Sequence, residues 1–144
     1  MRALMMLSVL LALTACQSPA QVAAEQPGAT LENTYWKLTR LGTDAVEVVD
    51  NRPEPHIILH LDDHRVSGSS GCNRLIGAYK VEANQLTFSQ TGGTMMACAQ
   101  GMEQERRFHE ALGRVATWSI KGERLELSDA SGTVVAEFES RYMK

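Results

Sequence analysis

Residues 68–98, GSSGCNRLIGAYKVEANQLTFSQTGGTMMAC, decide how this chain folds. The stretch opens on a glycine-rich bend, Gly68-Ser69-Ser70-Gly71, that runs straight into Cys72-Asn73-Arg74. Two segments of strand character follow, residues 78–81 and 86–88, separated by Glu82-Ala83-Asn84-Gln85. That polar tetrapeptide reads as a hairpin turn with Asn84 at positive φ, because asparagine enters the left-handed region more readily than most residues. The stretch closes on Thr94-Met95-Met96-Ala97-Cys98. Cys72 and Cys98 are expected to be spatial neighbours that fix the middle of a small sheet-rich domain.

Working outward, Trp36 and Leu38 alternate with Lys37 and Thr39 as in a half-buried strand. Residues 43–55 carry the breaker-rich run Asp50-Asn51-Arg52-Pro53-Glu54-Pro55 and read as a surface loop. Ile57, Leu59 and Leu61 then alternate with Ile58 and His60, and Asp62-Asp63-His64 turns the chain into Arg65-Val66-Ser67. Downstream of Cys98 the period changes to three and four: Met102, Glu105, Phe108, Ala111, Leu112 and Val115 share one face of a helix expected over residues 100–115. Glu103 with Arg107, and Glu110 with Arg114, have the spacing of helical ion pairs. Strand signals return at Trp118 and Ile120, at Leu125 and Leu127, and at Val134, Ala136 and Phe138, with turns at residues 121–123 and 129–132. This order predicts an α+β domain: a strongly curved antiparallel sheet with one main helix over its open side.

The N-terminus reads as an export signal. Residues 3–13 are almost unbroken apolar sequence behind Arg2, too short for a spanning helix, which needs about 20 such residues. Leu13-Thr14-Ala15-Cys16 resembles the bacterial lipobox, in which the leader is cut before a cysteine that carries a diacylglyceryl group and an acylated amine. The alternative is ordinary cleavage near Ala15 or after Ala23-Ala24, with Cys16 a passenger. On the lipobox reading, residues 1–15 are the signal peptide, residues 16–31 the lipidated cysteine and a tether, and residues 32–144 the folded domain. Gln17 stands where lipoproteins kept on the inner membrane commonly carry Asp, so the resemblance favours the outer membrane, facing the periplasm. The tether composition, two prolines and a glycine with Val22 as its only large apolar residue before position 31, buries too little to fold. Without Arg2 the 14 basic residues fall to 13 against 17 acidic ones. A mildly acidic chain with no basic cluster lacks the electrostatic footprint of a nucleic-acid binder.

At this point the pattern resembles a known family. The Trp-x-Leu strand, Gly71-Cys72-Asn73, Gly77-x-Tyr79, and Thr94-x-Met96-x-Cys98, with Glu103 and Phe108 beyond, look like the META domain of HslJ-type lipoproteins. The resemblance implies a curved antiparallel sheet or partial barrel packed with one main helix, in an envelope lipoprotein of undefined biochemical activity, with some members linked to heat induction or antibiotic tolerance. One local departure stands out: many members carry Arg where this chain has Thr94-Met95-Met96.

Candidate chemistry is sparse. Once Cys16 is lipidated, two thiols remain, and an oxidising compartment favours a Cys72–Cys98 bridge, though two buried free cysteines would also suit the pattern. A Cys-x-x-Cys redox motif is absent. Met95, Met96, Cys98 and Met102 have the softness of Cu(I) ligands, yet methionine more often fills core gaps, and that is the expectation here. His56, His60 and His64 repeat every four residues, but within strand sequence this spacing does not converge on a metal. Ser69 and Ser70 lack a nucleophile-elbow context. The Asp129 turn lacks the closing glutamate of a calcium loop. Asn73 is expected to cap backbone groups of a bend. The sequence therefore predicts no catalytic, cofactor or metal residues. Gly71, Asn73, Gly77, Tyr79, Thr94 and Met96 are read as structural. The expected function is a non-enzymatic envelope module that engages the membrane through Cys16 and an unidentified envelope protein. The alternative is a small apolar ligand held inside the curved sheet; an interior filled by Trp36, Leu59, Leu86, Trp118 and Phe138 would exclude it.

Overall fold

The computed structural model of the protein describes residues 28–142. The expected leader, Cys16 and most of the tether lie outside them. Nine strands and one helix follow in order: β1 (Tyr35–Leu41), β2 (Asp44–Ala45), β3 (His56–His60), β4 (Arg65–Ser69), β5 (Arg74–Glu82), β6 (Gln85–Gly93), α1 (Met102–Arg114), β7 (Thr117–Lys121), β8 (Arg124–Ser128) and β9 (Val134–Arg141). All pairings are antiparallel, in the spatial order β2-β1-β3-β4-β5-β6-β7-β8-β9, and β1 also pairs with β9. That last pairing curls the sheet into a barrel.

The barrel is incomplete at one seam. β6 and β7 share the single bridge Gln85–Thr117, and α1 fills the opening left there by packing against β6, β9 and β1. Phe108, Ala111 and Leu112 supply its buried face, and Phe108 meets Phe138 with ring centroids 6.1 Å apart. The curved sheet and the covering helix are as the sequence pattern predicts.

Alternation decides what fills the barrel. Trp36 and Leu38 of β1, Ile57 and Leu59 of β3, Val66, Leu75, Leu86, Leu125, Leu127 and Phe138 are all essentially inaccessible. Together they occupy the axis, as expected of a close-packed interior. An apolar ligand inside the sheet is thereby overturned: the space belongs to the core. Trp118 alone among the expected fillers is only half-buried, at the rim.

Several local expectations are corrected. The positive φ in the β5–β6 turn belongs to Ala83, at 52°, and not to Asn84. β3 stops at His60, so Leu61 lies in the turn and is 49 % exposed. Folded structure starts before residue 32: Leu31 is buried, and its carbonyl accepts the Trp36 indole N–H at 2.8 Å. On α1, Arg106 pairs with both Glu103 and Glu110, while Arg107 reaches Asp44 at 2.7 Å. Arg106 lies between two acids on the same face and captures both. The methionines do not fill the core: Met95 is 98 % exposed, and Met96 and Met102 are about half exposed.

Candidate functional site

The barrel has two differently built ends. At the helix end lie the β4–β5 loop, the segment from β6 to α1, and the long loop before β3. At the opposite end lie the turns β3–β4, β5–β6 and β7–β8, together with residues 28–34.

Cys72 and Cys98 form a disulfide at the helix end, with Cα atoms 6.1 Å apart. It ties the β4–β5 loop to the segment entering α1. Beside it Asn73 uses every hydrogen-bonding position of its side chain. Its Oδ1 accepts from the Thr94 hydroxyl at 2.8 Å and the Met96 N–H at 2.7 Å. Its Nδ2 donates to the Met96 carbonyl at 3.1 Å and to Glu105 Oε1 at 2.7 Å. Thr94 in turn accepts the Arg74 N–H at 3.1 Å. The roles of Thr94 and Met96 are thus to present a hydroxyl and a backbone peptide; the Met96 thioether is not used.

Glu105 is the residue that the sequence reading missed. It sits on the buried face of α1 and accepts three hydrogen bonds: from the Ser70 hydroxyl at 2.8 Å, the Asn73 N–H at 3.0 Å and the Asn73 amide. Burial by itself would raise its carboxyl pKa. The donors from Asn73 and Ser70, with a smaller contribution from His109, outweigh burial and hold the group below the usual carboxylate range. A signal was present in the sequence: a carboxylate among Met102, Phe108, Ala111 and Leu112 is out of place on a core-facing stripe unless donors meet it.

The glycines of the motif have separate reasons. Gly71 takes φ of 112°, which lets the chain bend into Cys72. A Cβ on Gly68 would lie 2.0 Å from the His56 carbonyl oxygen, so that strand contact admits no side chain. Tyr79 belongs to the opposite end. Its hydroxyl lies 2.6 Å from Glu32 Oε1, its ring stacks on His64, and burial with the neighbouring Glu32 raises its pKa.

The three histidines go to different partners: His56 stacks on Tyr35, His60 Nε2 lies 2.7 Å from the Ser67 hydroxyl, and His64 stacks on Tyr79. Among the described residues, no group of three His, Cys, Asp or Glu side chains is placed to hold a metal. Asp129 closes its own turn, accepting from the backbone N–H groups of Ser131 and Thr133. Ser70 donates its hydroxyl to a carboxylate, and Asn73 is saturated. The arrangement holds two loops and a helix together.

An antiparallel barrel sealed by one helix, with a disulfide-clamped polar cluster beside it, defines a helix-capped β-barrel domain. The META domain family model matches residues 29–142, and the chain belongs to that family. No curated protein matches the sequence. Among solved structures, an NMR structure of a protein from Burkholderia xenovorans is 24% identical with TM-score 0.65, covering 88% of this chain and 99% of that one. A crystal structure of a DUF4847 family protein from Bacteroides vulgatus is 11% identical with TM-score 0.55, covering 79% of this chain and 96% of that one. At these identities the likeness concerns the fold.

Proposed function

We propose that the protein is a non-enzymatic envelope lipoprotein, anchored through Cys16 at the outer membrane, that docks an apolar segment of another envelope protein and supports stress tolerance. One observation carries the docking reading. Val48, Met95, Met96 and Met102 are all large, apolar and at least two-fifths exposed, and they lie in the loops at the helix end and the first residue of α1. These loops are held firmly. Gln104 exchanges two hydrogen bonds of 2.8 Å with the backbone of Glu47, and the disulfide and Asn73 fix the other side. Exposed methionine on a rigid base suits adaptable apolar recognition. It is also the end away from Gly28, where the described chain begins, so an anchored domain would present it outward.

The test is complementation in cells lacking the protein. A chain carrying Met95→Glu, Met96→Glu and Met102→Glu is expected to reach normal abundance yet fail to restore detergent resistance that the unchanged chain restores. Full restoration would sink the reading. Intact mass of the membrane-extracted protein tests the lipid on Cys16 separately.

A further inference from the structure

The end of the barrel nearest the chain's N-terminus carries a feature that the docking reading does not use. Ala29, Leu31, Leu61, Val81, Trp118 and Ile120 contribute to an open groove of ≈ 620 Å³. Leu61 is half exposed at the β3–β4 turn, and Trp118 and Ile120 are half-buried on β7. The Trp118 indole N–H already donates to the Ala83 carbonyl at 3.0 Å. Its ring can therefore leave water for hydrocarbon without stranding a donor. Nearby charges are matched: Lys80 pairs with Glu82 at 2.9 Å and Lys121 with Glu126 at 3.3 Å, and Glu32, the carboxylate lining the groove, accepts the Tyr79 hydroxyl at 2.6 Å. The surface is thus suited to an apolar phase more than to an anionic one.

The chain itself indicates which apolar phase. Residues 29–33 form one wall of the groove, and the Ala29 N–H donates to the Gly122 carbonyl at 3.2 Å. Only residues 17–27 separate Gly28 from Cys16, a span of no more than about 40 Å even fully extended. A lipid on Cys16 therefore keeps Gly28, and the groove beside it, within about 40 Å of the bilayer, and tethers this end more closely than the methionine end.

We propose that the groove is the membrane-facing surface of the protein and that its occupant is the acyl-chain region of the bilayer holding the Cys16 lipid. Leu61 and Trp118 enter the outer hydrocarbon while the methionine face points away. The inference rests on the anchor reading above.

The experiment uses the full acylated chain in phosphatidylcholine vesicles, with attachment verified by flotation and modification of Cys16 by intact mass. Trp36 is wholly buried, so quenching by lipids brominated on their acyl chains reports on Trp118. Brominated vesicles are expected to quench the emission relative to plain ones, and Trp118→Phe should abolish the difference. Leu61→Asp, at an exposed turn position, should shift the docked-to-undocked ratio about tenfold toward undocked, the worth of roughly half a buried leucine. Equal emission from verified acylated protein in brominated and plain vesicles overturns the groove reading and leaves the anchor standing. An unmodified Cys16 overturns the anchor itself. Crosslinks seating residues 17–27 in the groove of vesicle-bound protein also overturn the proposal, because the occupant would then be the chain.

Discussion

The two ends of this barrel are closed by opposite means. At the helix end a buried carboxylate, an asparagine, two hydroxyls and a disulfide lock the loops through directional bonds. At the other end the closure is mainly apolar: Leu31 lies over the barrel, its carbonyl held by Trp36, half-exposed side chains surround it, and the Tyr79 hydroxyl on Glu32 and the His60 carbonyl adds a single polar node. Directional bonds fail as a set, since removing one acceptor strands several buried donors. Apolar closure loses stability in proportion to the area uncovered. The two ends should therefore respond differently to single substitutions.

The largest difference should come from Glu105→Ala. It leaves the Asn73 N–H, the Asn73 amide and the Ser70 hydroxyl without their acceptor, at an expected cost of about 4 kcal/mol. Leu31→Ala at the other end should cost about 2 kcal/mol, because its lid can partly collapse into the space. Urea denaturation of both variants checks the order. A Leu31→Ala cost equal to or above that of Glu105→Ala would show that the polar cluster is ornament on an apolar core.

Next in size is the disulfide. Cys72 and Cys98 are 26 residues apart, and opening a loop of that length should lower stability by about 3.5 kcal/mol in the chain-entropy model. The double substitution Cys72→Ser with Cys98→Ser is expected to lower the thermal midpoint while leaving Trp118 accessibility to acrylamide unchanged. A change in Trp118 exposure would mean that the two ends are coupled.

How much of this was legible follows from the same contrast. The apolar architecture follows from local alternation: Trp36 and Leu38, Ile57 and Leu59, Leu125 and Leu127 mark the inward face of their strands without reference to any partner. The three-and-four spacing around Phe108 likewise gives the helix and its buried face. Cys72, Asn73, Thr94 and Cys98 are visible as a motif, but their partners are not. Asn73 and Glu105 are 32 residues apart, and no local periodicity encodes that contact. Met95 and Met96 were misplaced because side-chain type predicts burial only where the backbone has a repeating face. The segment between β6 and α1 has none. Trp118 and Leu61 were misread at strand ends, where alternation continues past the last residue that the barrel covers.

A smaller effect separates the ends by pH. Burial opposes ionisation of Glu105, but donation from Asn73 and Ser70 holds its folded pKa below the unfolded value. The stability it adds is therefore fully present above the ordinary carboxylate pKa of about 4.3 and lost as pH falls through the lower folded value. Comparing the wild type with Glu105→Gln isolates this group from Glu54 and Asp129, which are also depressed. The stability gap should be constant near neutrality and narrow as the pH is lowered below about 4.3. A gap that widens on acidification would mean that Glu105 is held protonated.

The smallest prediction has the opposite sign. Among the described residues, Ser140 Oγ is buried without a hydrogen-bond partner. Ser140 stands across from Trp36 on β9, at the apolar end. A hydroxyl stranded there contributes a desolvation cost and no bond. Ser140→Ala should therefore stabilise the protein by about 1 kcal/mol, whereas Ser70→Ala, a substitution of the same type at the helix end, should destabilise it by a similar amount because Glu105 loses a donor. Equal signs in denaturant titrations would break the contrast: a loss at both positions would mean that Ser140 finds a partner in solution, such as an ordered water.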